Sequence, residues 1–470
     1  MRQLLSQRQR LSWGPWALLA VGAGAVLLAI LAMQPIRDED LWWHELIGSE
    51  ILATRSVSGL GNSWAPLGDQ GWTTTQWLSE VLYAVAVAAG GWQAVIVLRV
   101  LVAALTLGGL FVALFPRNNP RAAVVVYLIT VAGTALWLSR DRPQTLTLPL
   151  TLLLAAWLQG ALTGRLPRWY WVGAVTLLWS SLHGSWVLVP AVFLLVTLVD
   201  FVQPLPGRRA RAAALTLTGG LAGLVNPAGV AGLTAIARFR ASTGHILEWG
   251  PTPLATTYGV MLLAMVLLHA IAWARSSAVP RDEALVALAL IALGLAAIRN
   301  VPTAMILLAP ITAARLTVVL RPAPPPSPVE ERRVRGIATA MMLLAACFAL
   351  TWAIVAQPTA VGPTTLVAKL ATIDPPPRVL NSYELGGLVA RFGPPGVEVA
   401  IDGRADRYPP DYVDRYLAAD DTLRDWRQLL DEVTPDVALL KTDTALARKL
   451  RAEGWMSRGE ADGYVLLIAP

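Results

Sequence analysis

Long apolar runs separated by short polar turns dominate the first 356 residues. The first extends from Trp16 to Met33, close to the roughly twenty residues needed to cross a bilayer. Further runs follow at roughly 92–115, 121–138, 144–162, 170–182, 185–203, 211–225, 257–274, 283–298, 302–320 and 337–356. The pattern predicts an α-helical polytopic membrane protein with about 11 transmembrane helices. The stretch 76–90, from Gln76 to the Gly90-Gly91 pair, is short for a crossing and is expected to be an interfacial or re-entrant helix. Beyond Arg378 the pattern changes. Strands are expected at Arg378–Ser382, Val397–Ile401, Asp436–Leu440 and Tyr464–Ile468, with helices at Glu384–Arg391, Asp411–Leu417, Leu423–Glu432 and Thr444–Glu453. That alternation predicts a small C-terminal α/β domain with a mixed or parallel sheet. The expected organisation is therefore a transmembrane module at 1–320, a Pro-rich cytoplasmic linker at 321–336, a last crossing at 337–356 and an extracytoplasmic domain at 361–470.

Composition agrees with a lipid solvent: 55% of the residues are hydrophobic and only 15% charged. Arg2, Arg8 and Arg10 precede the first run, and no small-residue cleavage site follows it at Gln34-Pro35, so it reads as a retained span. The single cysteine, Cys347, lies in an apolar run and forms no intrachain disulfide. Residues 361–470 hold 13 Lys+Arg and 17 Asp+Glu, net −4, which leaves 25 and 14, net +11, upstream. Loop arginines that set topology account for that excess, and nucleic-acid binding is not expected. With the amino terminus inside, the basic loops at Arg117–Arg121, Arg165–Arg168, Arg208–Arg211, Arg275–Arg281 and Arg321–Arg335 all fall inside, and the carboxyl terminus falls outside. The outer segments are then 34–91, Arg140 to Gln144, His183 to Trp186, Asn226 to Pro253, and Arg299-Asn300.

Charges at a membrane edge without a topological role are candidates for function. Seven of the fourteen upstream acids lie between residues 38 and 80: Asp38, Glu39, Asp40, Glu45, Glu50, Asp69 and Glu80. Three successive carboxylates at Asp38-Glu39-Asp40 can bind a divalent cation such as Mg or Mn, or hold one carboxylate as a base. A plainer reading is also open: Asp40 is well placed to cap a helix from Leu41 to Ala53. On that helix Trp42 and Trp43 read as interface anchors, and His44 as structural or as a ligand or proton carrier. Arg140 and Arg142 can pair with Asp141 or Asp38, or bind an anion, and His183 and His245 read as anchors of outer turns. In the tail, Asp402 and Arg404 form either a turn with an ion pair or part of a ligand loop.

These residues, taken together, resemble the bacterial polytopic glycosyltransferases of the GT-C superfamily, of the mannosyltransferase and aminoarabinose-transferase kind. The resemblance rests on Asp38-Glu39-Asp40-Leu41-Trp42-Trp43-His44 after the first span, with Gly48 and Ile51-Leu52 behind it. It continues through Gln76–Glu80, Gly90-Gly91-Trp92, Arg140–Gln144, Asn226-Pro227, Glu248-Trp249, Asn381–Gly387 and Asp402-Gly403-Arg404. It implies transfer of a sugar from a polyprenyl-phosphate donor to a cell-envelope acceptor at the outer face of the bacterial plasma membrane. It also implies an acidic first-loop residue as base or metal ligand. Asp40 matches that acid, Asp38 completes Asp-x-Asp with it as a possible metal pair, and Asp141 matches a second acid. In better-characterised members Asp-Glu is soon followed by an aromatic, whereas Leu41 follows Asp40 here, which keeps Asp38 and Glu39 open as the reacting group. Arg140, Arg142 and Arg299 are the expected phosphate partners, with Glu80, Glu248, His44 and His183 as further site residues. A transporter or flippase of lipid-linked precursors, and a non-catalytic envelope assembly protein, are the alternatives.

Overall fold

A computed structural model describes residues 14–230, 233, 247–321, 327–355 and 361–470. Most of the stretch between Asn226 and Pro253, including His245, lies outside the described residues, as do Pro322–Pro326 of the linker and the junction at 356–360. The chain forms two compact units. One comprises Met1–Gln34, Gln93–Val225 and Ile246–Gln357, and the other Pro35–Trp92, Asn226–His245 and Pro358–Pro470.

Every expected apolar run is helical. Pro15–Met33 (α1) is followed by Asp40–Thr54 (α2), Trp77–Leu114 (α3), Pro120–Leu138 (α4), one turn at Pro143–Leu146 (α5), Leu148–Leu162 (α6) and Trp169–Leu182 (α7). Leu188–Val199 (α8), Arg208–Leu224 (α9), Thr257–Ala274 (α10), Arg281–Ala296 (α11), Val301–Val319 (α12) and Pro328–Val355 (α13) complete this set. Among the described residues, six helices are long and apolar enough to cross a membrane: α1, α3, α4, α10, Ile298–Val319 and α13. The others fall short by length. The 14 residues of α7 rise only about 21 Å at 1.5 Å per residue, against roughly 30 Å of hydrocarbon. Six of the expected runs thus reach crossing length as single helices among the described residues. The stretch 76–90 forms the start of α3, which leaves helical geometry at Gly90 and at Gly91 (φ +64°). A straight helix of that length would be about 57 Å long, nearly twice the bilayer core. The glycine pair is where the chain avoids it.

In the first unit α12 is buried along almost its whole length, against α4, α6, α10 and α11. Charges inside this unit are paired, as burial requires. Arg208 Nε donates to Asp200 at 2.6 Å and its Nη1 to Asp282 at 2.7 Å, while Arg315 Nη2 donates to Glu283 at 2.6 Å. Arg208 is therefore a buried structural cation as well as a member of a basic loop.

The second unit joins the segment after α1 to the C-terminal domain. That domain carries Thr364–Lys369 (α14), Gly386–Phe392 (α15), Pro410–Thr422 (α16), Trp426–Val433 (α17) and Ala445–Ala452 (α18). Its strands are Arg378–Asn381 (β1), Glu398–Val399 (β2), Val437–Lys441 (β3), Met456–Ala461 (β4) and Tyr464–Ile468 (β5), in the sheet order β2-β1-β3-β5-β4. β1 pairs in parallel with β2 and β3, and β5 pairs antiparallel with β3 and β4. The sheet is mixed, as expected. The β4 strand was not anticipated, because its exposed Arg458 and its Glu460 interrupt any apolar alternation; the Asp462-Gly463 turn, with φ +53° and +80°, was the available signal.

The loop after β2 grips the segment between α2 and α3. Asp402 and Arg404 form a fully buried ion pair, with Arg404 Nε 3.0 Å from Asp402 Oδ1, so the ion-pair reading of these residues holds. Burial alone would raise the Asp402 carboxyl, but the Arg404 and Arg407 guanidiniums hold it below its ordinary value. Arg404 Nη1 donates to Leu60 O at 3.1 Å. Arg407 donates to Leu60 O, to Asn62 Oδ1 at 2.7 Å and to Ala65 O at 2.8 Å. Asp406 accepts the Trp72 indole N–H at 2.9 Å.

Candidate functional site

The acidic loop sits at the start of α2. Asp40 is the first helical residue and Glu39 stands at the cap position, where its side chain makes no capping hydrogen bond, so the expected capping by Asp40 is not seen. A carboxylate in the first helical turn is stabilised by the helix dipole. The Asp38 carboxylate accepts the Asp40 backbone N–H at 3.2 Å, and the Trp43 indole N–H donates to Asp40 Oδ1 at 3.0 Å. Asp38 is buried, Asp40 half-buried and Glu39 exposed.

Trp42 and Trp43 are buried inside the second unit and are not lipid-facing anchors. Trp42 packs edge-on against Trp92 and Phe392 at 4.9 and 5.1 Å. Trp43 lies under two glycines of the C-terminal domain: a Cβ on Gly387 would come within 3.1 Å of Trp43 N, and one on Gly403 within 2.7 Å of its Nε1 and 2.2 Å of Asp40 Oδ1. The aromatic pattern on α2 is thus satisfied by protein, which sequence alone does not distinguish from an interface.

Behind these acids, His44 Nδ1 lies 3.4 Å from Glu80 Oε1, both side chains being buried. A Cβ on Gly48 would lie 2.0 Å from Glu80 O, so α2 and α3 meet at a glycine. Glu45 accepts from Arg391 Nε at 2.6 Å and ties α2 to the C-terminal domain. The Asp-x-Asp pair does not meet a metal site in the described structure. Asp38 Oδ1 and Asp40 Oδ1 accept hydrogen bonds locally, and among the described residues no group of three or more His, Cys, Asp or Glu is placed to hold an ion.

The expected phosphate partners gather in the other unit. Arg142 Nη1 donates to both Glu248 oxygens, at 2.8 and 3.0 Å, and Arg140 Nη1 reaches Glu248 Oε2 at 3.3 Å. Glu248 is thus an acid that these two arginines share. Arg299 Nη2 donates to Gln144 Oε1 at 3.0 Å, Gln144 Nε2 donates back to Arg299 O at 3.1 Å, and the guanidinium lies 4.0 Å over the Trp249 ring. Arg140 and Arg142 thus share the Glu248 carboxylate and Arg299 stacks on the adjoining Trp249, and forked guanidinium donors of this kind suit a phosphate.

Asp141 is buried with Arg99, whose Nε donates to Asp141 Oδ1 at 2.9 Å and whose Nη1 donates to Leu31 O and Gln34 O at 3.1 and 2.9 Å. This pair closes the end of α1 onto α3 and the loop after α4. Arg99 was not anticipated, although a lone arginine inside an apolar run was the signal. His183 Nδ1 accepts the Ser185 N–H at 3.0 Å and caps a short turn, as expected for an anchor.

No protein-family profile and no curated protein matches the chain. Solved structures do. ArnT from Cupriavidus metallidurans, bound to undecaprenyl phosphate, aligns over 96% of this chain and 97% of its own, with a TM-score of 0.50 at 14% identity. The chain has the GT-C fold. The oligosaccharyltransferase AglB from Archaeoglobus fulgidus, in complex with an inhibitory peptide and a dolichol-phosphate, is similar over 91% of this chain and 70% of its own, with a TM-score of 0.52 at 11% identity. In this GT-C fold the agreement extends through both compact units, since neither alone could account for such coverage.

Proposed function

We propose that the chain is a membrane glycosyltransferase that moves a sugar from a polyprenyl-phosphate donor to a cell-envelope acceptor. The observation that carries the reading is the GT-C fold shared end to end with a structure that holds undecaprenyl phosphate. The arginine cluster at Arg140, Arg142 and Arg299 supports it, because a departing lipid phosphate needs charge compensation. Asp40 is assigned as the base, with Asp38 and Glu39 holding the loop around it. Asp40 takes the proton of the acceptor hydroxyl as its oxygen bonds to the anomeric carbon. The bond from that carbon to the phosphate oxygen breaks with inversion, and its electron pair leaves with the polyprenyl phosphate. Asp141 is assigned to the buried pair with Arg99 rather than to a reacting role.

In this reading the chain lies in the bacterial plasma membrane with its amino terminus cytoplasmic. The eleven expected crossings place the C-terminal domain outside. The test is a proteoliposome assay of polyprenyl-phosphate release from the glycosylated lipid. Asp40→Ala is expected to abolish release while the protein stays folded and retains donor binding; full activity in that variant overturns the assignment. Transbilayer movement of lipid without any release would favour the flippase reading.

A further inference from the structure

We infer that the C-terminal domain positions the Asp40 carboxylate, with Trp43 and Gly403 as positioning residues; this rests on Asp40 being the base. Trp43 Nε1 donates to Asp40 Oδ1 at 3.0 Å, which sets the plane of the carboxylate three residues away on the same helix. The loop after β2 closes over that hydrogen bond at a residue without a side chain, since a Cβ at Gly403 would stand 2.2 Å from the accepting oxygen. Only glycine permits this approach. The loop itself is held from several sides. The Tyr383 hydroxyl donates to Gly403 O at 3.4 Å, and the adjoining Asp402–Arg404 pair is fully buried. Arg391 fixes α2 one turn further on, through Glu45 at 2.6 Å. Gly387 packs on the Trp43 backbone and on the edge of its indole. A base must be held within a fraction of an ångström of its working position, and a displacement of about 1 Å can cost a hundredfold in rate.

Three variants test this in proteoliposomes with the full chain. Trp43→Phe keeps the ring and removes the N–H; kcat is expected to fall tenfold to a hundredfold while donor KM stays within about twofold and the melting temperature is little changed. Trp42→Phe alters the neighbouring indole, which packs on Trp92 and Phe392, and is expected to keep wild-type kcat. Gly403→Ala reaches the same hydrogen bond from the C-terminal domain and is expected to reproduce the Trp43→Phe split between kcat and KM. It also serves if Trp43→Phe does not fold. An unchanged kcat in Trp43→Phe or in Gly403→Ala overturns the inference. So does a loss of kcat that is matched by loss of donor binding and of melting temperature, since that marks a merely structural role. Failure of the wild type to release polyprenyl phosphate at all would instead refute the proposed function.

Discussion

Replacing Arg407 by alanine should loosen the loop between α2 and α3 selectively. Arg407 is almost fully buried and donates to Leu60 O, Asn62 Oδ1 and Ala65 O. Hydrogen bonds from a charged group are worth about 1.5–3 kcal/mol each, but the three do not simply add. Leu60 O keeps a second donor in Arg404 Nη1, and Asn62 is half-buried and can turn to water. Ala65 is fully buried, and its carbonyl loses this donor, which costs about 1–3 kcal/mol. With the packing of the lost stem, the total is about 3 kcal/mol, more than a hundredfold in an opening equilibrium. Arg407→Lys keeps charge and stem without the fork and should cost about half as much. Hydrogen exchange reads this directly. The amides of Gly59, Asp69 and Thr74, which donate to Trp72 O, Arg407 O and Val57 O, should exchange about a hundredfold faster in Arg407→Ala, while helix α4 is unchanged. Unaltered exchange across residues 57–74 would refute the argument that the loop depends on the C-terminal domain for its shape.

The remaining predictions concern donor binding and pH. Arg142→Ala is expected to raise the donor KM by tenfold or more, Arg142→Lys to recover only part of it, and the defect to deepen with ionic strength; a KM equal to wild type removes Arg142 from the phosphate site. Burial, then the neighbouring Asp421 and Glu384, push the Asp420 carboxyl up to about 6 against a partial opposing hydrogen bond from Thr444. A carboxyl raised by folding contributes stability below its ordinary value near 4, and loses it as pH climbs through about 6. Asp420→Asn should therefore match wild type at pH 4 and exceed it by about 2 kcal/mol at pH 7.5, measured by hydrogen-exchange opening of α16. A pH-independent difference would show that Asp420 ionises there as it does in water.

Much of this was legible in the sequence because membrane helices and small α/β domains advertise themselves by period. An apolar run must satisfy its backbone within itself in lipid, so the runs from Trp16 onward could only be helices. Four of the five strands and the four larger helices of the tail followed from their alternation, and the Asp402–Arg404 ion pair was one of the two readings those residues allowed. Partners across long separations were not legible. The sharing of Glu248 by Arg140 and Arg142, the pairing of Asp141 with Arg99, and the seating of Trp43 under Gly387 and Gly403 join segments from about forty to several hundred residues apart. A charge or an indole announces that it needs a partner, and burial then makes that need costly, but neither says which partner meets it. By itself, the sequence determined that the acidic loop, the arginines and the α/β tail exist. Only the tertiary structure decided that the loop is folded against the tail, because the complementary groups meet there through chain geometry that no local pattern encodes.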